Sequence, residues 1–200
     1  IQTKTGYLSI DPKPDQSELD AFYKNSYFNP GVTATYHSSY TEDEIKYKEN
    51  RASATVRFIA SNSNKHDLKL LDIGAGEGFL LRAANDFGWK VKGVDFQLEP
   101  CLAFNEAMAE CFEVANPMEF LDNSPSHDGK YDVVFLDPPF SSSILADTCQ
   151  HLNSSSLLNR ACKIYIETGI DPNSLNFPTD WRRLKLKKAG QVFSSLFIKD

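Results

Sequence analysis

Asp137-Pro138-Pro139-Phe140 follows the apolar run Tyr131-Asp132-Val133-Val134-Phe135-Leu136 and so stands where a buried strand stops. Those residue types suit chemistry on a planar nitrogen. A carboxylate and a proline-fixed backbone carbonyl accept hydrogen bonds from an exocyclic amine and aim its lone pair at an electrophile, while Phe140 stacks on the ring carrying the amine. Two adjacent prolines lock the turn and remove competing amide hydrogens. A tetrapeptide that merely ended a strand would look the same in isolation; a second motif upstream weighs toward chemistry.

That motif is Leu70-Leu71-Asp72-Ile73-Gly74-Ala75-Gly76-Glu77-Gly78-Phe79-Leu80, an apolar strand running into three alternating glycines and then the start of a helix. Gly74, Gly76 and Gly78 permit unusual dihedral angles and let a ligand approach the backbone. The spacing is G-x-G-x-G behind an acidic residue, not the G-x-G-x-x-G of pyrophosphate sites, and Asp72 would repel a pyrophosphate while suiting a cationic ligand. A further strand, Lys90-Val91-Lys92-Gly93-Val94-Asp95, ends in a carboxylate about twenty residues on, where an acidic side chain takes ribose hydroxyls. The other reading of Asp95 is a cap for the helix that follows.

Together the two motifs resemble the class I S-adenosylmethionine-dependent methyltransferases, with Leu71 to Gly78 similar to the first motif of that family and Asp137 to Phe140 similar to the fourth. The resemblance implies S-adenosylmethionine as cofactor, S-adenosylhomocysteine as product and no metal. It assigns the cofactor to Asp72, Gly74, Ala75, Gly76, Gly78, Asp95, Phe96, Asn116 and Asp137, and the acceptor to Asp137, Pro138, Pro139 and Phe140. It also implies a Rossmann-like α/β fold, a seven-stranded mostly parallel sheet of order 3-2-1-4-5-7-6 with an antiparallel last strand and helices on both faces. A narrower resemblance covers roughly residues 128–200. Tyr131 to Phe140, Ile164-Tyr165-Ile166-Glu167, Trp181 and Lys188-Ala189-Gly190-Gln191-Val192 are similar to the C-terminal half of the RsmD family, which methylates the N2 amine of a guanine in small-subunit ribosomal RNA. On that resemblance Asp137, Pro138 and Pro139 hold the guanine amine and Phe140 stacks on the base.

The first hundred residues depart from that family. Its basic arm, with an R-G-R and a later R-P-T segment, is absent, and Tyr23 to Arg57 and Leu70 to Asn105 resemble methyltransferases of polysaccharide and small-molecule pathways. The acceptor is therefore ribosomal RNA in the small ribosomal subunit or, as the alternative, a sugar or small-molecule amine. A third reading, from a different class, is a non-catalytic module that keeps the cofactor pocket.

Composition bounds these readings. Two hundred residues, 41% of them hydrophobic, suit one core-bearing domain. No apolar run approaches membrane-spanning length and no secretory leader opens the chain, so the expectation is a cytoplasmic protein with no membrane partner. Cys101, Cys111, Cys149 and Cys162 lack C-x-x-C pairing and read as reduced, mostly buried thiols; the four histidines are scattered, which argues against a metal site. The net charge of −6 is unlike that of a chain gripping phosphates over its whole surface. Local basic clusters exist at Lys46, Lys48, Arg51 and Arg57, and along Arg182, Arg183, Lys185, Lys187 and Lys188. In the second, Leu184 and Leu186 alternate with lysines, as a half-exposed strand requires, and a solvated face weighs more than an RNA contact.

The elements that must position these residues alternate along the chain. An N-terminal extension over residues 1–62 comprises a proline-punctuated arm, a short helix over 17–25 and the aromatics Tyr23, Tyr27, Phe28, Tyr36 and Tyr40, read equally as a lid or as core. It closes with a helix that Thr41 and Glu44 open as a capping box and that runs to about Asn62. The cofactor-binding domain spans 63–200. Strands are predicted over 68–73, 90–95, 111–115, 131–136 and 162–167, with helices over about 78–87, 99–109, 117–121 and 143–151. A hairpin, 181–188 and 191–198, turns at Ala189-Gly190. Such alternation specifies a parallel sheet covered on both faces.

Overall fold

Leu70, Leu71, Val133 and Val134 are all fully buried, and neighbours in sequence point to opposite faces of a strand, so their two strands must be covered on both sides. They form the middle of the sheet. The computed structural model describes residues 18, 21–22, 40–123, 130–137 and 142–200. Its seven strands are β1 (Lys69–Ile73), β2 (Lys90–Asp95), β3 (Phe112–Val114), β4 (Tyr131–Leu136), β5 (Leu158–Thr168), β6 (Trp181–Ala189) and β7 (Val192–Lys199). They lie in the order β3-β2-β1-β4-β5-β7-β6. The pairs among β1 to β5 are parallel and β7 runs antiparallel to both β5 and β6. This is the architecture expected from the sequence.

Helices α1 (Glu42–Ala60), α2 (Phe79–Asp86), α3 (Glu99–Asn105), α4 (Pro117–Asn123) and α5 (Ser142–Ser154) connect and cover the strands. On one face, Val56 and Ile59 of α1 and Ala84 of α2 pack with Leu70, Val133, Tyr165 and Leu196. On the other, Leu145, Cys149 and Leu152 of α5 pack with Leu71, Val134, Leu136, Ile164 and Ile166. Ala52, Val56 and Ile59 recur at helical spacing along α1, and burying the larger two contributes about 1.5–3 kcal/mol each. Gly93 admits the close approach of α2 to β2: a Cβ there would lie 2.5 Å from Leu81 Cδ1 and 2.9 Å from Ala75 Cβ.

Two compact units divide the chain between residues 41 and 42, and α1 lies in the second, with the sheet. Most of the other unit, with the helix over 17–25 and the aromatic stretch before Tyr40, lies outside the described residues.

Three elements differ from the sequence pattern. The helix expected over 99–109 is α only to Asn105 and continues as a 3-10 turn over Glu106–Cys111. Asn105 is the cause: it is buried, its Nδ2 donates to the Glu77 carbonyl at 2.7 Å, and its backbone leaves helical geometry (φ −143°, ψ 53°). Strand β5 starts at Leu158, ahead of the expected 162, through an irregularity between Tyr131 and Val133 and a left-handed Ala161 (φ 61°). Its polar opening, Asn159 and Arg160, hides it from a hydrophobic pattern. In β6 the register slips between Arg183 and Lys185, and Leu186 remains exposed while Leu184 packs beside Val56 and Ile59. The exposed Arg182, Arg183, Lys185, Lys187 and Lys188 line a sheet edge, where charge discourages pairing with another chain. Cys101, Cys149 and Cys162 are buried free thiols and Cys111 is partly exposed. Among the described residues no helix is long and apolar enough to cross a membrane.

Candidate functional site

Strand register brings the two motifs together. Asp72 pairs with Phe135 and Ile73 with Leu136 across β1 and β4, so the next residues, Gly74 and Asp137, meet just past the strand ends. A Cβ on Gly74 would lie 3.5 Å from the Asp137 carbonyl oxygen. Parallel β5 continues the row: Phe135 pairs with Tyr165 and Leu136 with Ile166, setting Glu167 beside Asp137. Because side chains alternate, Asp72, Asp137 and Glu167 share the face of Leu70, Val133 and Tyr165, the face covered by α1 and α2. The carboxyl ends of parallel strands are where open α/β sheets bind ligands.

The glycine loop is built almost wholly from backbone. Gly74, Gly76 and Gly78 all have positive φ (85°, 50° and 77°). The Gly74 and Ala75 amides both donate to the Val94 carbonyl, at 2.9 and 3.3 Å, and Gly78 N donates to Ala75 O at 2.9 Å. A Cβ on Gly78 would stand 2.9 Å from Cys101 Sγ, which ties α3 closely to the loop. Asp95 closes it from β2: its Oδ2 accepts from Gly76 N at 2.9 Å and its Oδ1 from Phe96 N at 2.7 Å. Capping of α3 by Asp95 is not what the structure has, since the residue at that cap is Leu98. Each Asp95 oxygen keeps lone-pair capacity for a ligand hydroxyl. Asn116, at the end of β3, accepts from Met118 N at 2.9 Å and so caps α4.

The electrostatics are unusual for side chains so close together. Asp72 is 2% exposed and its Oδ1 has no hydrogen-bond partner among the described residues. Burial, then the charges of Asp137 and Asp95, push its carboxyl well above the ordinary range. Burial likewise raises Asp95 to about 6 against the opposing pull of the Gly76, Phe96 and Gln97 amides. Solvent still touches Asp137, yet the protein packed about its carboxyl, and next Glu167, lift it to about 6, with Arg51 acting the other way. An unpartnered buried carboxyl among two others is costly unless a cation or a proton joins it. A cationic group with hydroxyls to share, set over a glycine loop, fits this donor set.

Residues that the sequence reading treated otherwise complete the site. Glu167, 5% exposed, is ion-paired with Arg51 of α1 and accepts from Tyr165 Oη at 3.2 Å. Lys48, one turn earlier on α1, pairs with Glu77 of the glycine loop at 2.9 Å. Lys48 and Arg51 were grouped by sequence with candidate phosphate contacts; the structure turns both onto loop and strand-end carboxylates. The i, i+3 spacing on one helix face was a usable signal, but nothing local names Glu77 and Glu167 as the partners. Pro138, Pro139 and Phe140 lie outside the described residues.

Comparison with known proteins bears on family and fold. The family described as Conserved hypothetical protein 95 matches residues 101–198. Ribosomal RNA small subunit methyltransferase D of Haemophilus influenzae is 33% identical over 141 residues, 66% of this chain and 72% of that protein. A likeness over 66% of the chain extends well beyond the 128–200 segment that carried the narrower resemblance. Among solved structures, a candidate methylase of Haemophilus influenzae superposes with TM-score 0.62 at 24% identity, covering 76% of this chain and 98% of its own. Magnesium protoporphyrin IX methyltransferase of Synechocystis, solved with S-adenosylmethionine bound, superposes with TM-score 0.59 at 13% identity and covers 96% of this chain and all of its own. These two likenesses establish the fold.

Proposed function

We propose, since this chain belongs to the family of ribosomal RNA small subunit methyltransferase D and is an S-adenosylmethionine-dependent methyltransferase, that it methylates the exocyclic N2 amine of a guanine in small-subunit ribosomal RNA, in the cytoplasm. The observation that supports the reading is the meeting of Gly74 with Asp137 just past the ends of β1 and β4. The orphaned Asp72 oxygen, the positive-φ glycines with Ala75 and the Asp95 carboxylate are the groups that would hold the cofactor, with Phe96 and Asn116 at the neighbouring strand ends. When bound, S-adenosylmethionine supplies a sulfonium methyl: the amine lone pair forms the N–C bond as the C–S bond breaks, leaving a neutral thioether.

The chain's own residues do the rest. The Asp137 carboxylate and the carbonyls of Pro138 and Pro139 accept the amine hydrogens, which aims the nitrogen lone pair, and Phe140 stacks on the base. Asp137 is suited to take the proton that the nitrogen sheds once it becomes cationic, because a carboxyl raised to about 6 both ionises near neutrality and accepts a proton readily. From there the proton reaches the solvent that touches Asp137.

With Lys48 and Arg51 committed to carboxylates, phosphate contact falls to the exposed basic strand β6 and to Arg57 and Lys46 on α1. The test is methyl transfer to small ribosomal subunits from cells lacking the modification, at two salt concentrations, with the parent and with Arg182→Glu and Arg183→Glu combined. N2-methylguanine that falls steeply with salt and in the double variant supports the reading. Protein that binds cofactor yet methylates no RNA at either salt would move the acceptor to a sugar or small-molecule amine; binding with no turnover on any candidate would leave a cofactor-binding module.

A further inference from the structure

Glu167 is a buried carboxylate that the transfer just described does not use. Its place is fixed from three directions. Register sets it beside Asp137 at the ends of adjacent parallel strands, the Arg51 guanidinium reaches it from α1, and Tyr165 Oη donates to its Oε1 at 3.2 Å. Tyr165 is in turn stacked on Phe135 with ring centroids 5.3 Å apart, so the two strands are locked by a pair of aromatics two residues before each carboxylate. Among the described residues these two adjacent carboxylates share the one Arg51 cation, an incomplete charge balance, and the missing positive charge is what an amine acquires as it is methylated.

We infer that the Arg51–Glu167 ion pair is a positioning element of the acceptor site: Glu167, fixed next to Asp137 by strand register and held by Arg51 from α1, sets the surroundings in which the Asp137 carboxylate meets the amine hydrogens. The inference rests on the assignment of Asp137 as the acceptor-side residue. It makes α1 part of the active site, although that helix precedes the glycine loop and carries no recognised motif. The charged groups facing Asp137 are Asp72 from β1, Glu167 from β5 and Arg51 from α1. The two partners therefore act on Asp137 with opposite sign: Glu167 favours its protonation and Arg51 opposes it.

Opposite signs make the experiment decisive. Arg51→Gln and Glu167→Gln are compared with the parent by carbon NMR of protein labelled at aspartate carboxyls, with the Asp137 signal assigned from Asp137→Asn. The pH profile of methyl transfer to small ribosomal subunits is recorded in parallel. Arg51→Gln moves the Asp137 midpoint up and Glu167→Gln moves it down, by about half a pH unit or more each, and the acid limb of turnover moves with it. Arg51→Lys, which keeps the charge, returns the midpoint toward the parent's. Midpoints that stay put, or that move in the same direction in both variants, would show that the pair only anchors α1 and would overturn the inference. Should Glu167→Gln fail to fold, half-exposed Arg51→Gln decides alone. Shifted midpoints with no methyl reaching RNA would support the pair and sink the RNA reading instead, so the two fail separately.

Discussion

Asp132 and Asp137 stand at opposite ends of β4 and have opposite surroundings. Asp132, near the start, accepts from Lys65 Nζ at 2.8 Å, Lys69 N at 3.0 Å and Asn159 Nδ2 at 2.8 Å. Partial burial works against its charge, but these donors and the Lys65 cation prevail and hold its carboxyl below the usual range. Asp137, past the other end, has burial and Glu167 against its charge and, among the described residues, Arg51 for it, and rises to about 6. One carboxylate has its donors supplied by the fold. The other sits beside Asp72 and Glu167, at the strand ends where ligands enter, with its compensation left to something that binds. The start of the strand reads as structure and its end as function.

The largest expected difference between the two is in turnover. Asp137→Ala lowers kcat by about 100-fold or more, the range of a lost proton acceptor and orienting group, while cofactor affinity measured by calorimetry and the thermal midpoint stay close to the parent's. Equal losses of turnover and cofactor affinity would make Asp137 a cofactor or structural residue and erase the contrast.

The contrast also explains what could be read from the chain in advance. Most of the proposed cofactor side lies within Asp72 to Asp95, two strands and a glycine loop adjacent in sequence, so spacing and family resemblance together point to it. The proposed acceptor side is marked in the sequence only at Asp137 to Phe140. Glu167 and Arg51 are separated by 116 residues and meet because parallel pairing of β4 with β5 and the apolar stripe of α1 bring them together. Basic residues on an exposed helix resemble a phosphate patch until their partners are known. The sheet order followed from alternating elements, whereas the early start of β5 and the 3-10 turn after α3 depend on Ala161 and on the Asn105 to Glu77 contact, which leave no periodic trace.

Asp132→Ala should show the opposite profile to Asp137→Ala, at an intermediate size. It strips partners from Lys69 N and Asn159 Nδ2 and leaves Lys65 unpaired, costing about 1–3 kcal/mol of stability in denaturant unfolding. Turnover per folded molecule is unchanged. The sign with pH follows from a lowered carboxyl: the Asp132 contribution is present above the unfolded carboxylate value and fades as pH falls through the folded one. A parent and variant that differ equally at pH 7 and at pH 3 would contradict that account.

The smallest expected effect concerns Asp72, and its sign is the sharpest test of the contrast. A carboxyl raised in the folded state contributes stability below its unfolded value and loses that contribution as pH rises toward the folded one. Without ligand, Asp72 therefore lowers stability progressively as pH rises above the ordinary carboxylate range. Asn keeps the shape and removes the charge. Asp72→Asn should match the parent near pH 4 and exceed it at pH 8 by about 1 kcal/mol, some 2–4 °C in thermal midpoint for a chain of this size. The residual decline through pH 6 remains in the variant, because Asp95 and Asp137 both still titrate near there. Cofactor binding should weaken in the same variant, since the charge that burdens the empty protein is the one a cationic ligand would neutralise. A variant less stable than its parent at pH 8, or one that binds S-adenosylmethionine equally well, would mean that Asp72 is as fully supported by the fold as Asp132 is.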